Sequence, residues 1–264
     1  LTAQFYEARL PGSWAQPYLT ERLRQDITGH PTIRPGYAPD GWTALIHHLR
    51  AKGITDDEML TAGVATTAST GRLIDRFRDR LVFPITHNNR VLGFVGRRNP
   101  QRENDKRIPK YLNTGDTPLF HKGDQLYATG PVDGTIPVLV EGPMDAIAVT
   151  LTMTGTHTGV APLGTALTDA QAAQLASIHS QPIIATDGDH AGRAAAERDY
   201  WLLAASQSSP REARLPAGSD PASLLVDGFE VDLRIALSTA ESSGRLLIER
   251  FASMAEPAIS NVLI

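Results

Sequence analysis

PVLVEGPMDA (residues 137–146) and PIIATDGDHAGR (residues 182–193) follow one pattern. Each is a short apolar run that stops on acid residues and gives way to a helical pattern. Runs this short, rich in Val and Ile and followed by long helical segments, are expected to be buried parallel strands. In an open α/β sheet, groups just past the carboxyl ends of the strands line the ligand crevice. Glu141, Asp187 and Asp189 fall at that position, and Asp145 lies in the helix that follows Glu141. Carboxylates crowded at one edge repel, so either their pKa values rise or a divalent cation neutralises them. An all-oxygen donor set selects Mg²⁺ or Mn²⁺. The competing role for Asp187 and Asp189 is turn and helix-cap chemistry ahead of the helix expected over 191–207.

Between the two strings stands LGTALT (residues 163–168), and beyond them AGSDPASL (residues 217–224). The order of these motifs resembles the TOPRIM domain, and LGTA with DGDxAGR resembles its version in the DnaG family of bacterial replicative primases. The resemblance implies a mainly parallel TOPRIM sheet and a metal held by Asp187 and Asp189 with help from Asp145 and Asp220. Glu141 is implied as a ligand or a base, so Glu141, Asp187 and Asp189 are the expected catalytic residues. One departure is visible: the family's third motif usually carries a second acid, DPD, where this chain has Asp220, Pro221 and Ala222.

The charge is unevenly spread. Residues 1–71 carry six Lys/Arg against seven Asp/Glu, residues 72–124 twelve against six, and residues 125–264 seven against sixteen. A basic block beside an acidic, metal-binding one suits an enzyme that processes a polyanion. Within the basic block, residues 75–85 and 90–98 alternate apolar and polar positions around Asn88 and Asn89, which predicts a β-hairpin. PKYLNT (residues 109–114) and LFHKGDQLY (residues 119–127) follow. These strings resemble the subdomain that precedes TOPRIM in the primases, and the resemblance implies nucleic-acid contacts at Arg97, Lys110, Tyr111 and Lys122, with Arg98 an adjacent candidate. Arg and Lys beside an aromatic ring suit a single strand, with charge for the backbone and a ring for stacking. A hydrated hairpin whose cations keep an edge strand soluble is the alternative.

Upstream, residues 1–71 are expected to form small helices joined by turns. Trp42, Leu45, Ile46 and Leu49 sit at helical spacing for a buried face, and 31–41 reads as a Pro/Gly-rich connection. His47 and His48 have no Cys or carboxylate at ligand spacing and are expected at the surface or as caps. Downstream of Glu141, helices are expected over 143–153 and from a Thr168/Gln171 capping box to Ile178. Strands are expected at 182–186 and, last, 211–216, and Trp201 and Leu202 are expected to be buried. The boundaries expected are 1–130 for the basic subdomain, 131–228 for TOPRIM and 229–264 for the start of a helical subdomain.

With 264 residues, 41% hydrophobic residues and no Cys, the chain is long enough for a sizeable α/β core and excludes disulfides and thiolate zinc sites. No apolar run approaches the ~20 residues of a membrane span, and a cytoplasmic location is expected. Leu1 opens mid-pattern and NVLI ends the chain without a cap, as expected of part of a longer polypeptide. The function the resemblance implies is a DNA primase core that joins ribonucleoside triphosphates on a single-stranded DNA template, with a replicative helicase or fused modules as partners outside this chain. The alternatives are a TOPRIM strand-breaking enzyme and a module of a replication or plasmid-transfer protein that only binds single strands.

Overall fold

The computed structural model describes residues 1–260, with side chains as far as Ser253; residues 261–264, where the uncapped ending was expected, lie outside the described residues. The chain divides into two units, Leu1–Gly130 and Pro131–Ile264. Among the described residues no helix is long and apolar enough to cross a membrane.

The first unit runs α1 (Thr2–Glu7), α2 (Ala15–Leu23), β1 (Gly36–Ala38), α3 (Ala44–Arg50), α4 (Asp56–Thr61), β2 (Ala65–Thr67), β3 (Leu73–Asp75), β4 (Arg80–His87), β5 (Arg90–Arg98), β6 (Tyr111–Asn113) and β7 (Leu126–Ala128). The hairpin β4–β5 forms as its sequence requires. Asn88 and Asn89 take φ of 49° and 60°, the left-handed pair that a two-residue turn matching the strand twist needs. The antiparallel order is β1-β4-β5-β6. Its covered face carries Val82 and Phe94, packed with Phe5 and Tyr6 of α1 and Leu45, Ile46 and Leu49 of α3.

Two expectations fail here. The Pro/Gly-rich connection contains a strand, β1, because Gly36, Tyr37 and Ala38 complete the edge of β4. Trp42 is 62% exposed, since α3 starts only at Ala44 and leaves the indole ahead of the buried stripe, under the Arg78 guanidinium at 4.6 Å. His47 is exposed, whereas His48 is half-buried with its ring 4.8 Å from that of Phe5.

The second unit runs β8 (Ile136–Leu139), α5 (Pro143–Thr152), β9 (His157–Pro162), α6 (Asp169–Ile178), β10 (Ile183–Ile184), α7 (His190–Ala205), β11 (Arg211–Glu212), α8 (Pro221–Val226), α9 (Glu230–Ser238), β12 (Glu241–Ser242) and α10 (Ser243–Ser260). Its sheet follows the order β12-β11-β10-β8-β9. The pairings β11–β10, β10–β8 and β8–β9 are parallel, and β12 is antiparallel. Helix α5 is apolar almost all round because it is enclosed, with Met144, Ala146, Ile147, Ala148 and Val149 all buried. Truncating Ile147 to Ala in such a setting costs about 2–5 kcal/mol. The Thr168/Gln171 capping box closes as expected, with Thr168 N–H donating to Gln171 Oε1 at 3.1 Å and Gln171 N–H to Thr168 Oγ1 at 3.2 Å.

Corrections fall at the far end of this unit. The inward stripe of α7 is Gly192, Ala196, Asp199 and Leu203, so Trp201 is 55% exposed and Leu202 half-buried. A helix turns about 100° per residue, and an error of one position carries a side chain off the buried face. Arg211–Glu212 is not the last strand, because β12 adds to the sheet edge beyond it.

Candidate active site

The acid residues collect where the parallel strands end. Glu141 follows β8, and its Oε1 accepts from the Asp187 backbone N–H at 3.3 Å beyond β10. Asp145 lies in the first turn of α5 and is half-buried; its Oδ1 accepts from the Ala222 N–H at 3.4 Å. Asp220 is the N-cap of α8: its Oδ1 accepts from Ser223 N–H at 2.6 Å, and its own N–H donates to Ser223 Oγ at 2.9 Å. Asp189 is the N-cap of α7, accepting from Gly192 N–H at 2.7 Å. Cap chemistry therefore is real for Asp189 and Asp220, and in each it engages Oδ1 and leaves Oδ2 outside the cap. Asp187 stands ahead of the α7 N-cap and lies half-exposed.

Two glycines make the arrangement possible. A Cβ on Gly188 would stand 2.1 Å from the Pro216 carbonyl oxygen, and one on Gly192 would stand 2.1 Å from that of Asp187. Gly188 N–H donates to Ser219 O at 2.8 Å and Gly218 N–H to Gly188 O at 2.9 Å, so the loop bearing Asp187 and the loop leading to Asp220 are laced together. The pattern DGD thus brings Asp220 near Asp187 through its glycine.

The electrostatics are those of a site short of positive charge. Burial first, then the charges of Asp220 and Asp187, hold the Asp145 carboxyl well above the usual carboxylate range, and a hydrogen bond shared with Asp220 favours the proton further. Among the described residues, no Lys or Arg forms an ion pair with Glu141, Asp145, Asp189 or Asp220. Nor do three of these side chains already converge on one point as a finished metal cage. The donor set is oxygen throughout, which fits a hard divalent cation that retains waters better than it fits a soft metal. Beside Asp187 opens a cavity of about 420 Å³, lined among others by Gly188, Arg193, Arg214 and Arg250. Arg214 pairs with Glu249 at 3.4 Å and Arg250 with Glu212.

The cationic candidates lie in the first unit. Arg97 of β5 is opposite Tyr111 of β6 and donates from Nη1 to its hydroxyl at 2.8 Å, and the Lys110 ammonium is 5.9 Å from the Tyr111 ring centre. These three residues form one group. Lys122 stands exposed in the turn ahead of β7. Arg98 is a structural residue here, donating to the carbonyls of Asp105 and Ile108 and so closing the loop that ends at Lys110. The same loop is stapled from beneath by Arg80, 4% exposed, which donates to Gly96 O at 2.9 Å and to Pro109 O at 3.1 Å. Burial and then the Arg98 and Arg78 charges pull Arg80 down to about 10.

Two further buried acids carry no motif in the sequence. Asp199 faces inward from α7 at 6% exposure, and its pKa is raised to about 6 by burial, helped by the charge of Glu141 and opposed by Arg198 at 3.6 Å. The signal was an acid on the Gly192/Ala196/Leu203 stripe. Asp79 is the hub of the first unit's polar network. It accepts from Trp14 Nε1 at 2.7 Å, Tyr37 Oη at 3.1 Å and Asn99 Nδ2 at 3.1 Å, and pairs with Arg102 at 3.0 Å. No local pattern marks it, since its partners lie up to 65 residues away.

A parallel sheet with acid residues past its strand ends, joined in one chain to an antiparallel unit with a cationic face, defines a TOPRIM-type protein. A family model described as DNA primase catalytic core, N-terminal domain, matches residues 5–132, and one described as Toprim-like matches residues 138–225. The DNA primase of Deinococcus radiodurans is 38% identical over 242 residues, covering 89% of this chain and 41% of that protein. The RNA polymerase domain of Mycobacterium tuberculosis primase DnaG superposes with a TM-score of 0.80 at 32% identity, covering 94% of this chain and 84% of that one. A DnaG primase catalytic domain bound to ssDNA superposes with a TM-score of 0.78 at 29% identity, covering 96% of this chain and 80% of that one. The chain belongs to the DnaG family of DNA primases. It spans less than half the length of the D. radiodurans relative. The family uses divalent metal ions in general.

Proposed function

We propose that this chain is the catalytic core of a primase, which synthesises RNA primers on single-stranded DNA from ribonucleoside triphosphates. The observation that carries this reading is the crowding of Asp145, Asp187 and Asp220 at the strand ends, with Asp145 held above its normal range by burial and by the charges of Asp220 and Asp187. A site for structure alone gains nothing from such repulsion, whereas a site that receives a metal with its substrate does. The bond formed joins a 3′-hydroxyl oxygen to an α-phosphorus, and the bond broken releases pyrophosphate. Divalent ions, Mg²⁺ or Mn²⁺, supply activation of the hydroxyl and neutralisation of the developing charge when bound. Asp187 and Asp189 would hold them with Asp145 and Asp220, and Glu141, already tied to the Asp187 backbone, would be a ligand or take the hydroxyl proton. Arg97, Lys110, Tyr111 and Lys122 would hold the backbone and a base of the single strand. The helicase or fused modules would come from elsewhere in the parent protein, and the location would be cytoplasmic.

The test is incorporation of labelled ribonucleotides on a single-stranded DNA template by the parent protein with Mg²⁺ or Mn²⁺. Metal-dependent RNA product from wild type, absent with Asp187→Asn, is expected. A protein that binds the strand without making RNA would be a binding module, and one that cuts the strand would be a nuclease or topoisomerase.

A further inference from the structure

Arg97 is a cation in want of an anion. It is half-buried, yet among the described residues no carboxylate pairs with it, and its Nε is buried without a hydrogen-bond partner. Withdrawing a guanidinium from water without a counter-ion is costly, so something else must hold it there. Two rings do. Its Cζ lies 5.4 Å from the centre of the Tyr111 ring and 5.3 Å from that of Tyr18, a residue of α2 that belongs to none of the motifs in this chain. Both separations fall within the range of cation–π attraction.

Tyr18 is itself fixed. Its ring meets that of Trp14, one helical turn earlier, at 5.9 Å and 65°, and the Trp14 indole N–H is anchored on the buried Asp79 carboxylate at 2.7 Å. The Tyr18 hydroxyl is buried too, beside the Arg97 guanidinium. A chain of contacts thus runs from Asp79 through Trp14 and Tyr18 to Arg97 and Tyr111. It leaves Arg97 with rotamers restricted on two sides and with donors beyond the one given to Tyr111. Immobilising a long side chain in advance removes much of the entropy that an anion would otherwise have to overcome.

We propose that Tyr18 is a positioning residue for nucleic-acid binding: it clamps Arg97 against Tyr111 so that the guanidinium meets a backbone phosphate of the single strand in a fixed orientation. This rests on the reading of the Arg97 face as a nucleic-acid surface. Tyr18 acts through Arg97 and need not touch the strand.

Fluorescence anisotropy of a labelled oligo-dT strand, titrated with the full chain at several salt concentrations, tests it. Tyr18→Leu is expected to raise Kd about three- to tenfold, and Tyr18→Phe, which keeps the ring, by less than about twofold. Tyr18→Leu should leave the slope of log K against log salt unchanged, because the phosphate contact is weakened rather than deleted, whereas Arg97→Ala should lower that slope by about 0.7. In an Arg97→Ala background, Tyr18→Leu should add nothing, a result that a merely structural loss would not give. If Arg97→Ala weakens binding while Tyr18→Leu does not, or if the two effects add in full, the clamp is refuted. If Arg97→Ala itself has no effect, it is the nucleic-acid reading of the face that fails. Tyr18→Gln, which keeps reach but loses the π face, repeats the measurement should Leu disturb the fold.

Discussion

Asp79 in the first unit and Asp145 in the second are both acids drawn back from solvent beside other polar groups, and they are satisfied in opposite ways. Asp79 receives the Trp14 indole, the Tyr37 hydroxyl, the Asn99 amide and the Arg102 guanidinium, every neighbour a donor. Asp145 receives a long hydrogen bond from Ala222 N–H, shares another with the Asp220 carboxyl, and faces the charges of Asp220 and Asp187. A carboxylate surrounded by donors is finished by folding and fastens its surroundings. One surrounded by carboxylates is left unfinished, and a ligand must complete it. The same contrast separates the cations: Arg80 and Arg98 spend their donors on backbone carbonyls, while Arg97 retains some of its own.

The contrast breaks most visibly at Asp187. Asp187→Asn should lower primer synthesis by on the order of 10²–10³-fold or more, while the metal-free variant melts no earlier than wild type because like-charge repulsion at Asp145 falls. Calorimetric titration with Mn²⁺ checks the assignment, and unchanged binding would remove Asp187 from the site.

Asp79→Ala should behave in the opposite manner. It strands the Trp14 and Asn99 donors, which should cost about 3 kcal/mol of stability. Urea melts should show the loss, and Mn²⁺ affinity measured well below the transition should be unaltered.

Ala222→Asp restores the acid that DPD motifs carry and sharpens the contrast at one residue. Ala222 is 1% exposed and its N–H touches Asp145, so a fourth carboxylate there should cost about 2–3 kcal/mol in EDTA. Saturating Mg²⁺ should recover much of that loss and metal affinity should rise; thermal melts with and without metal decide it.

Asp199 carries a smaller effect with a defined pH window. Its folded pKa of about 6 exceeds the ordinary value of 3.8, so the folded state binds the proton more tightly and stability falls as pH rises from about 4 to about 6. Asp199→Asn should therefore be more stable than wild type by about 2 kcal/mol at pH 7, with the gap closing by pH 4. Paired melts at the two pH values test this.

Smallest is Lys110→Ala, expected to weaken single-strand binding about threefold and to lower the salt slope by about 0.7. An unchanged slope would leave the Lys110 ammonium a solvated charge.

Local rules carried much of this molecule. The Asn88–Asn89 turn, the Thr168/Gln171 box and the apolar runs ahead of Glu141 and Asp187 depend on residues within a few positions of one another, and all form as the sequence requires. What the sequence could not supply is anything set by contacts far along the chain. Trp42 and Trp201 are large apolar residues that packing leaves more than half exposed, and Gly36–Ala38 becomes a strand only because β4 offers an edge. Asp79 and Tyr18 matter through partners 65 and 79 or more positions away, and a lone Asp or Tyr in a sequence carries no mark of that. The sequence by itself determined which side chains could hold a metal or a phosphate. Tertiary structure alone decided which of them are left unsatisfied, because the charge state of a carboxylate and the freedom of a guanidinium are fixed by neighbours that only packing brings together.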